Sequence, residues 1–275
     1  MRAPGVLNGS PTTTRIHSLA KVTPRRRGFG KFYLLIGGIA VAAIIAIALN
    51  TRPAKQDLFP VDPSAPPVAT AGYLMGNEDA PVRIREWADF ECPGCMQFAT
   101  ITEPDIRSRL VSTGLVSFEY FFFPLVEIHR SAAAAAYAAA CAGDQGTENF
   151  WKMHDAIYAG FNDWAAGRAR NPRGIFSGYA KAIGLNVVQW ESCYDSDKFH
   201  DLITAHRAEG MQRGVNSTPT FIINDVVMAG GGTYDQIKAV VDSLLLAKGI
   251  DPAAPVAAPG ADSAAQALVP LGGRN

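Results

Sequence analysis

A chain of 275 residues with 48% apolar composition can bury one substantial globular core. Its formal net charge is zero and its body carries no basic patch, which argues against a nucleic-acid partner. The charge is uneven: residues 1–31 hold seven Lys/Arg and no Asp or Glu, so the remainder is net acidic by the same amount.

Residues 1–30 lack apolar periodicity and read as a disordered basic tail. Phe32 to Leu49 is an uninterrupted apolar run of 18 residues, which at about 1.5 Å per residue just crosses a hydrocarbon core. We expect residues 31–49 to be a transmembrane anchor lying in the lipid bilayer. Arg25, Arg26, Arg27 and Lys31 precede it, so the N-terminus is expected in the cytoplasm and the rest outside, on the periplasmic side. A cleaved signal peptide is the alternative, with Ala46-Ile47-Ala48 as the cleavage site, although the run exceeds a usual signal core. Arg26-Arg27 with Gly28-Phe29 is also compatible with twin-arginine export. Residues 50–72 are Pro/Ala-rich and read as a semi-rigid linker; residues 251–275 repeat that composition and read as a disordered tail.

The folded domain is thus expected over 73–250. Val82 to Trp87 reads as a strand with Val82, Ile84 and Glu86 on one face. Cys92-Pro93-Gly94-Cys95 follows and opens a helix to Thr113, kinked by Pro104 and ended by Gly114. Val116 to Phe123 is an apolar, aromatic-rich central strand, terminated by Pro124. Residues 126–215 turn helical, with helices expected at 131–141, 149–159, 174–183, 187–195 and 198–213. After Pro219, Thr220–Ile223 and Val226–Met228 form a hairpin across Asn224-Asp225, and a final amphipathic helix spans 233–248. Strand, helix, strand, helical block, hairpin and helix is the order of a thioredoxin-like α/β fold with an all-helical insertion.

A Cys-x-x-Cys at a helix start suits redox chemistry. Unpaired backbone N–H groups and the helix dipole there favour an anion, so the first cysteine's pKa falls, to roughly 3.5–7 in redox sites. Cys92 is expected to be the exposed nucleophile and Cys95 the buried resolving cysteine, exchanging disulfides with a thiol substrate. Half a zinc site is the competing reading. A structural zinc needs four ligands, and Cys141 and Cys193 stand apart from any ligand-like His spacing. His129, His154, His200 and His206 are scattered and read as satisfied or surface histidines, so neither metal nor cofactor is expected.

Met75 to Val82 and Glu86 to Cys95, together with Ser217-Thr218-Pro219-Thr220 and Phe150 to Asp155, resemble the signatures of the DsbA-like thioredoxin-fold oxidoreductases across about 73–248. The resemblance implies that Pro219 is a cis-proline facing the redox pair, and that Thr218 and Pro219, with Pro93 and Gly94, bind an extended substrate segment. It implies that Glu86, six residues before Cys92, is a buried acid that handles the proton of Cys95. Asp89 and Glu91 are expected to modulate the local field. Many oxidases of the family carry His or Tyr where this chain has Gly94, which leaves the direction of transfer open between oxidase and isomerase or reductase. Cys141 and Cys193 are expected to bond to each other, as in some extracytoplasmic members; a second redox relay or two free thiols are the alternatives. The implied partners are exported cysteine-containing proteins as substrates and a membrane reoxidant of the DsbB or vitamin-K-epoxide-reductase type. A monomer is expected. From a different functional class, a non-enzymatic peptide-binding module would use the proline groove alone.

Overall fold

The structure, a computed structural model, describes residues 30–50 and 70–253. It divides into two compact units at Leu49/Asn50. The first contains helix α1, Gly30–Asn50, whose side chains are described only for residues 34–45. Among the described residues no helix is long and apolar enough to cross a membrane. All but Gly30 and residues 251–253 of the expected tails lie outside the described residues, as does most of the expected linker.

The second unit is built on a five-stranded sheet in the order β1-β3-β2-β4-β5. The strands are β1 (Tyr73–Met75), β2 (Val82–Ala88), β3 (Val116–Phe122), β4 (Thr220–Ile223) and β5 (Val226–Ala229). β2 and β3 run parallel at the centre, joined by a helical crossover, and the other pairs are antiparallel. Every residue of β3 is buried, the pattern of a strand covered on both faces. On β2 the alternation places Val82, Ile84 and Glu86 toward the large core, while Trp87 packs on the other face with Phe121, Phe123 and Ile222.

The crossover helix is not continuous. Cys92 caps α2 (Pro93–Gln97), a π-helical turn occupies Phe98–Thr102, α3 covers Glu103–Arg109, and a 3₁₀ turn at Val111–Thr113 ends on Gly114 at φ +75°. The kink assigned to Pro104 is therefore a widened turn in front of it, with Pro104 in the first turn of α3, where its missing N–H costs nothing. The insertion comprises α4 (Ala132–Gly143), α5 (Thr147–Ala159), α6 (Phe161–Trp164), α7 (Arg173–Ala182), α8 (Val187–Asp195) and α9 (His200–Gln212). α9 folds back over the Trp87 face: the Trp87 indole donates to the His206 carbonyl, and a side chain at Gly210 would meet Trp87 at 2.7 Å. α10 (Tyr234–Ala247) begins with a capping box, Thr233 and Gln236 exchanging hydrogen bonds, and packs against α3 and β2.

Candidate active site

Cys92 sits at the C-terminal end of the β2–α2 connection, at the N-cap of α2, with extended backbone (φ −76°, ψ 123°) and Pro93 opening the helix. Its side chain is only 8% exposed, and that of Cys95, one turn on, is fully buried. In its protonated form the Cys92 thiol donates to the Thr218 carbonyl oxygen, 3.3 Å away. The Thr218–Pro219 peptide bond is cis. Gly94 lies against this loop, for a Cβ there would stand 3.4 Å from Pro219 Cδ and 3.7 Å from the Cys92 sulfur.

The two thiols, both free in the structure, are electrostatically opposite. Cys92 is lowered to about 5, chiefly by a hydrogen bond from the Cys95 thiol; the backbone N–H groups of Cys95 and Gly94 add to this against the opposing effect of burial. Cys95 is pushed up, first by burial and then by donating to Cys92 and facing negative charge at Cys92 and Glu86. One sulfur is thus held as a thiolate and the other as a thiol.

Behind Cys95 the core is unusually polar. Glu86 is almost wholly buried on β2, and burial, reinforced by Glu103 and offset in part by Arg107, holds its carboxyl well above the usual range. Glu103 on α3 is fully buried and accepts two hydrogen bonds from Arg107, which also binds Asp155 at 2.7 Å. His154 on α5 is buried beside them, its Nε2 at 3.7 Å from Glu103 Oε2. Tyr120 and Tyr158 complete the surround, both raised mainly by burial. On the opposite side of Cys92, Asp89 accepts from the Glu91 and Leu125 amides and lies 2.7 Å from His129 Nδ1. That hydrogen bond is the main cause raising His129, and the Cys92 charge adds to it. Glu91 accepts from the Ser131 and Ala166 amides, fixing the first turn of the insertion to the redox loop.

The structure thus gathers Cys92, Pro93, Gly94, Cys95, Glu86, Thr218 and Pro219 in one place. Asp89 and Glu91 hold loops through the bonds just given. The sequence reading passed over Glu103, and it classed His154 with ordinary satisfied histidines. His206 fits that description, bridging the Phe122 amide and the Ala71 carbonyl oxygen, but His154 does not, since its Nε2 finds no hydrogen-bond partner. Among the described residues no three His, Cys, Asp or Glu side chains gather as a metal site. Cys141 and Cys193 are joined in a disulfide between α4 and α8, 5.8 Å apart at Cα.

A family description, Thioredoxin_4 (thioredoxin), matches residues 69–243. Among solved structures, DsbA from Chlamydia trachomatis superposes with a TM-score of 0.59 at 21% identity, covering 70% of this chain and all of that one. Oxidised BdbD from Bacillus subtilis does so at 0.57 and 22%, covering 64% and 93%. In sequence, disulfide bond formation protein D of Bacillus subtilis is 24% identical over 181 residues, 64% of this chain and 78% of its own. A Na(+)/H(+) antiporter NhaA 1 of Salinispora arenicola is 32% identical over 187 residues. That match takes in 68% of this chain but only 26% of the antiporter, so the chain spans about a quarter of that relative's length. The chain belongs to the thioredoxin family, and it shares its fold with DsbA and BdbD.

Proposed function

We propose that this chain is an extracytoplasmic oxidase that donates the Cys92–Cys95 disulfide to exported, cysteine-containing proteins as they fold. The observation that carries this is the split between the two thiols, Cys92 down to about 5 and Cys95 up. A thiolate stabilised in the reduced protein makes reduction of the enzyme favourable, and a favourably reduced enzyme is an oxidant. In the forward reaction a substrate thiolate attacks Cys92 Sγ. The enzyme disulfide breaks, and Cys95 leaves with the electron pair and takes a proton, for which the protonated Glu86 is the donor. A second substrate thiolate then attacks the substrate sulfur of the mixed disulfide, and Cys92 leaves as a thiolate needing no proton. Run backwards, Cys95 resolves the mixed disulfide.

Thr218 offers its backbone beside Cys92 for a passing extended segment, and an open depression lined by Gly94, Phe98, Ile101 and Gly232 adjoins the pair. Reoxidation falls to a membrane protein of the DsbB or vitamin-K-epoxide-reductase type. The tether is the apolar run 32–49 behind its basic flank, which puts the domain outside the cytoplasm. No transport role is taken from the antiporter, because the matched stretch is the size of the thioredoxin unit.

Gly94 favours a second reading, reductase or isomerase, because it withholds a side chain from the thiolate. Equilibration with glutathione separates the two. A reduction potential near about −120 mV is expected for the oxidase, and one near about −270 mV would make the chain a reductant.

A further inference from the structure

Three buried polar atoms stand behind Cys95, and the chemistry above uses only the first. Glu86 Oε2, Glu103 Oε2 and His154 Nε2 are each shut from solvent without a hydrogen-bond partner. Such an atom costs roughly 1–3 kcal/mol, so three in one region of a packed core need a reason. They also form a series. Glu86 feels both Glu103 and Arg107, and its own charge reaches Cys95. Glu103 Oε2 faces His154 Nε2 at 3.7 Å, and the other nitrogen, His154 Nδ1, lies 2.9 Å from Asp155 Oδ1. Asp155 is 53% exposed and lines an open depression with Arg107, Pro104 and Tyr158.

We propose that Glu103 and His154 form a proton relay between Glu86 and solvent, entered at Asp155, which resupplies the proton that Cys95 takes as it leaves the disulfide. This rests on the oxidoreductase reading. Cys95 is fully buried, and Glu86 can hand over only a proton it already holds; wherever Glu86 is ionised, as it becomes toward higher pH, opening the disulfide waits on a proton brought through the core. An imidazole suits it, because one nitrogen can release a proton while the other takes one up. The charges balance: the glutathione or substrate sulfur brings the electron pair, Cys95 gains the proton of Glu86, and solvent returns that proton through Asp155, His154 and Glu103. The titratable and charged groups facing the route are Cys92 and Cys95 on the redox turn, Glu86 on β2, and Glu103 and Arg107 on α3. Tyr120 faces it from β3, and Asp155 and Tyr158 from α5. Arg107 holds Glu103 in place and is a positioning residue.

The test is the rate at which reduced glutathione opens the Cys92–Cys95 disulfide, followed against pH in light and heavy water. Wild type, His154→Gln and Glu103→Gln are compared, each also equilibrated with glutathione. Both variants should be slowed about tenfold above neutral pH, less than the roughly 10²–10⁴ of a group that transfers the proton itself, with a larger solvent isotope effect. The His154→Gln equilibrium constant should stay within about twofold of wild type, since a relay alters the path and not the end states. Unchanged rates in both variants overturn the relay, as does a His154→Gln rate that falls only in step with its equilibrium constant. Where either buried substitution prevents folding, Asp155→Asn at the exposed end decides: a slower reaction in the same pH range supports the relay, an unchanged one overturns it. No exchange by the wild type would instead overturn the proposed oxidoreductase, a result separable from insensitivity of the variants.

Discussion

The two cysteine pairs of this domain share an element and little else. Cys141 and Cys193 are both buried among helices of the insertion and bonded to each other across 52 residues of chain. Cys92 and Cys95 occupy one turn, and their surroundings separate them: the Cys95 thiol and backbone N–H groups lower the first against burial, while burial, the bond to Cys92 and the charge of Glu86 raise the second. Reactivity here comes from asymmetry, not from closeness. Two cysteines held alike make a staple; two held differently make an exchanger.

The contrast breaks most sharply at Cys92. Cys92→Ser should lower disulfide exchange by at least about 10³-fold, because the serine hydroxyl supplies no thiolate at neutral pH. Replacing Cys141 and Cys193 together by Ala should leave the exchange rate within about twofold. Insulin reduction or glutathione oxidation reads both, and a folded Cys141/Cys193 variant without exchange would dissolve the distinction. In stability the order reverses. By the chain-entropy estimate, losing the Cys141–Cys193 loop should cost up to about 4 kcal/mol, seen as a lower denaturant midpoint with the redox pair unaffected.

The pH dependence is a finer probe of the same contrast. The reduced protein's Cys92 pKa falls from 9.0 to about 5 on folding. Between those values the unfolded chain binds a proton that the native chain does not, so the reduced form's stability rises with pH. The gain is complete above about pH 9 and lost as pH falls through about 5. Reduced minus oxidised stability should therefore grow by about 1.4 kcal/mol per pH unit across that window. Unfolding of both forms at several pH values measures it; a flat difference would mean that Cys92 is not held as a thiolate.

Much of this was legible in the sequence. The alternation of Val82, Ile84 and Glu86 put the carboxylate on the core face, and Cys-x-x-Cys after a strand placed the redox turn. β1 escaped notice because three half-buried residues carry no period; its place comes from pairing with β3 and from Tyr73 stacking on Phe150 at 3.7 Å. The π-helical turn was hidden for a related reason, since Pro104 signals a break without saying which side widens. Glu103 and His154 lie far apart in the chain, on helices whose periodicity allows an exposed or a buried placement. Only the packing of α5 against the crossover brings them together. The Asp89–His129 contact is equally long-range, 40 residues apart in the chain.

Helix α4 carries a consequence for how the gene can drift. From Ala132 to Ala142 every residue is buried, nearly all of them alanine, with α5, α7 and α8 packed against the helix. An alanine codon can change by one nucleotide to threonine, serine, proline, valine, glycine, aspartate or glutamate. Valine and threonine overfill a site cut to one methyl group, at about 1–3 kcal/mol. Proline breaks the helix at about 3 kcal/mol, glycine loosens it by about 1, and the acids bury a charge. Only serine comes near to neutral, and only where its hydroxyl can reach a carbonyl one turn back. This stretch of about a dozen codons is therefore where single-base changes should most often cost the cell a folded protein.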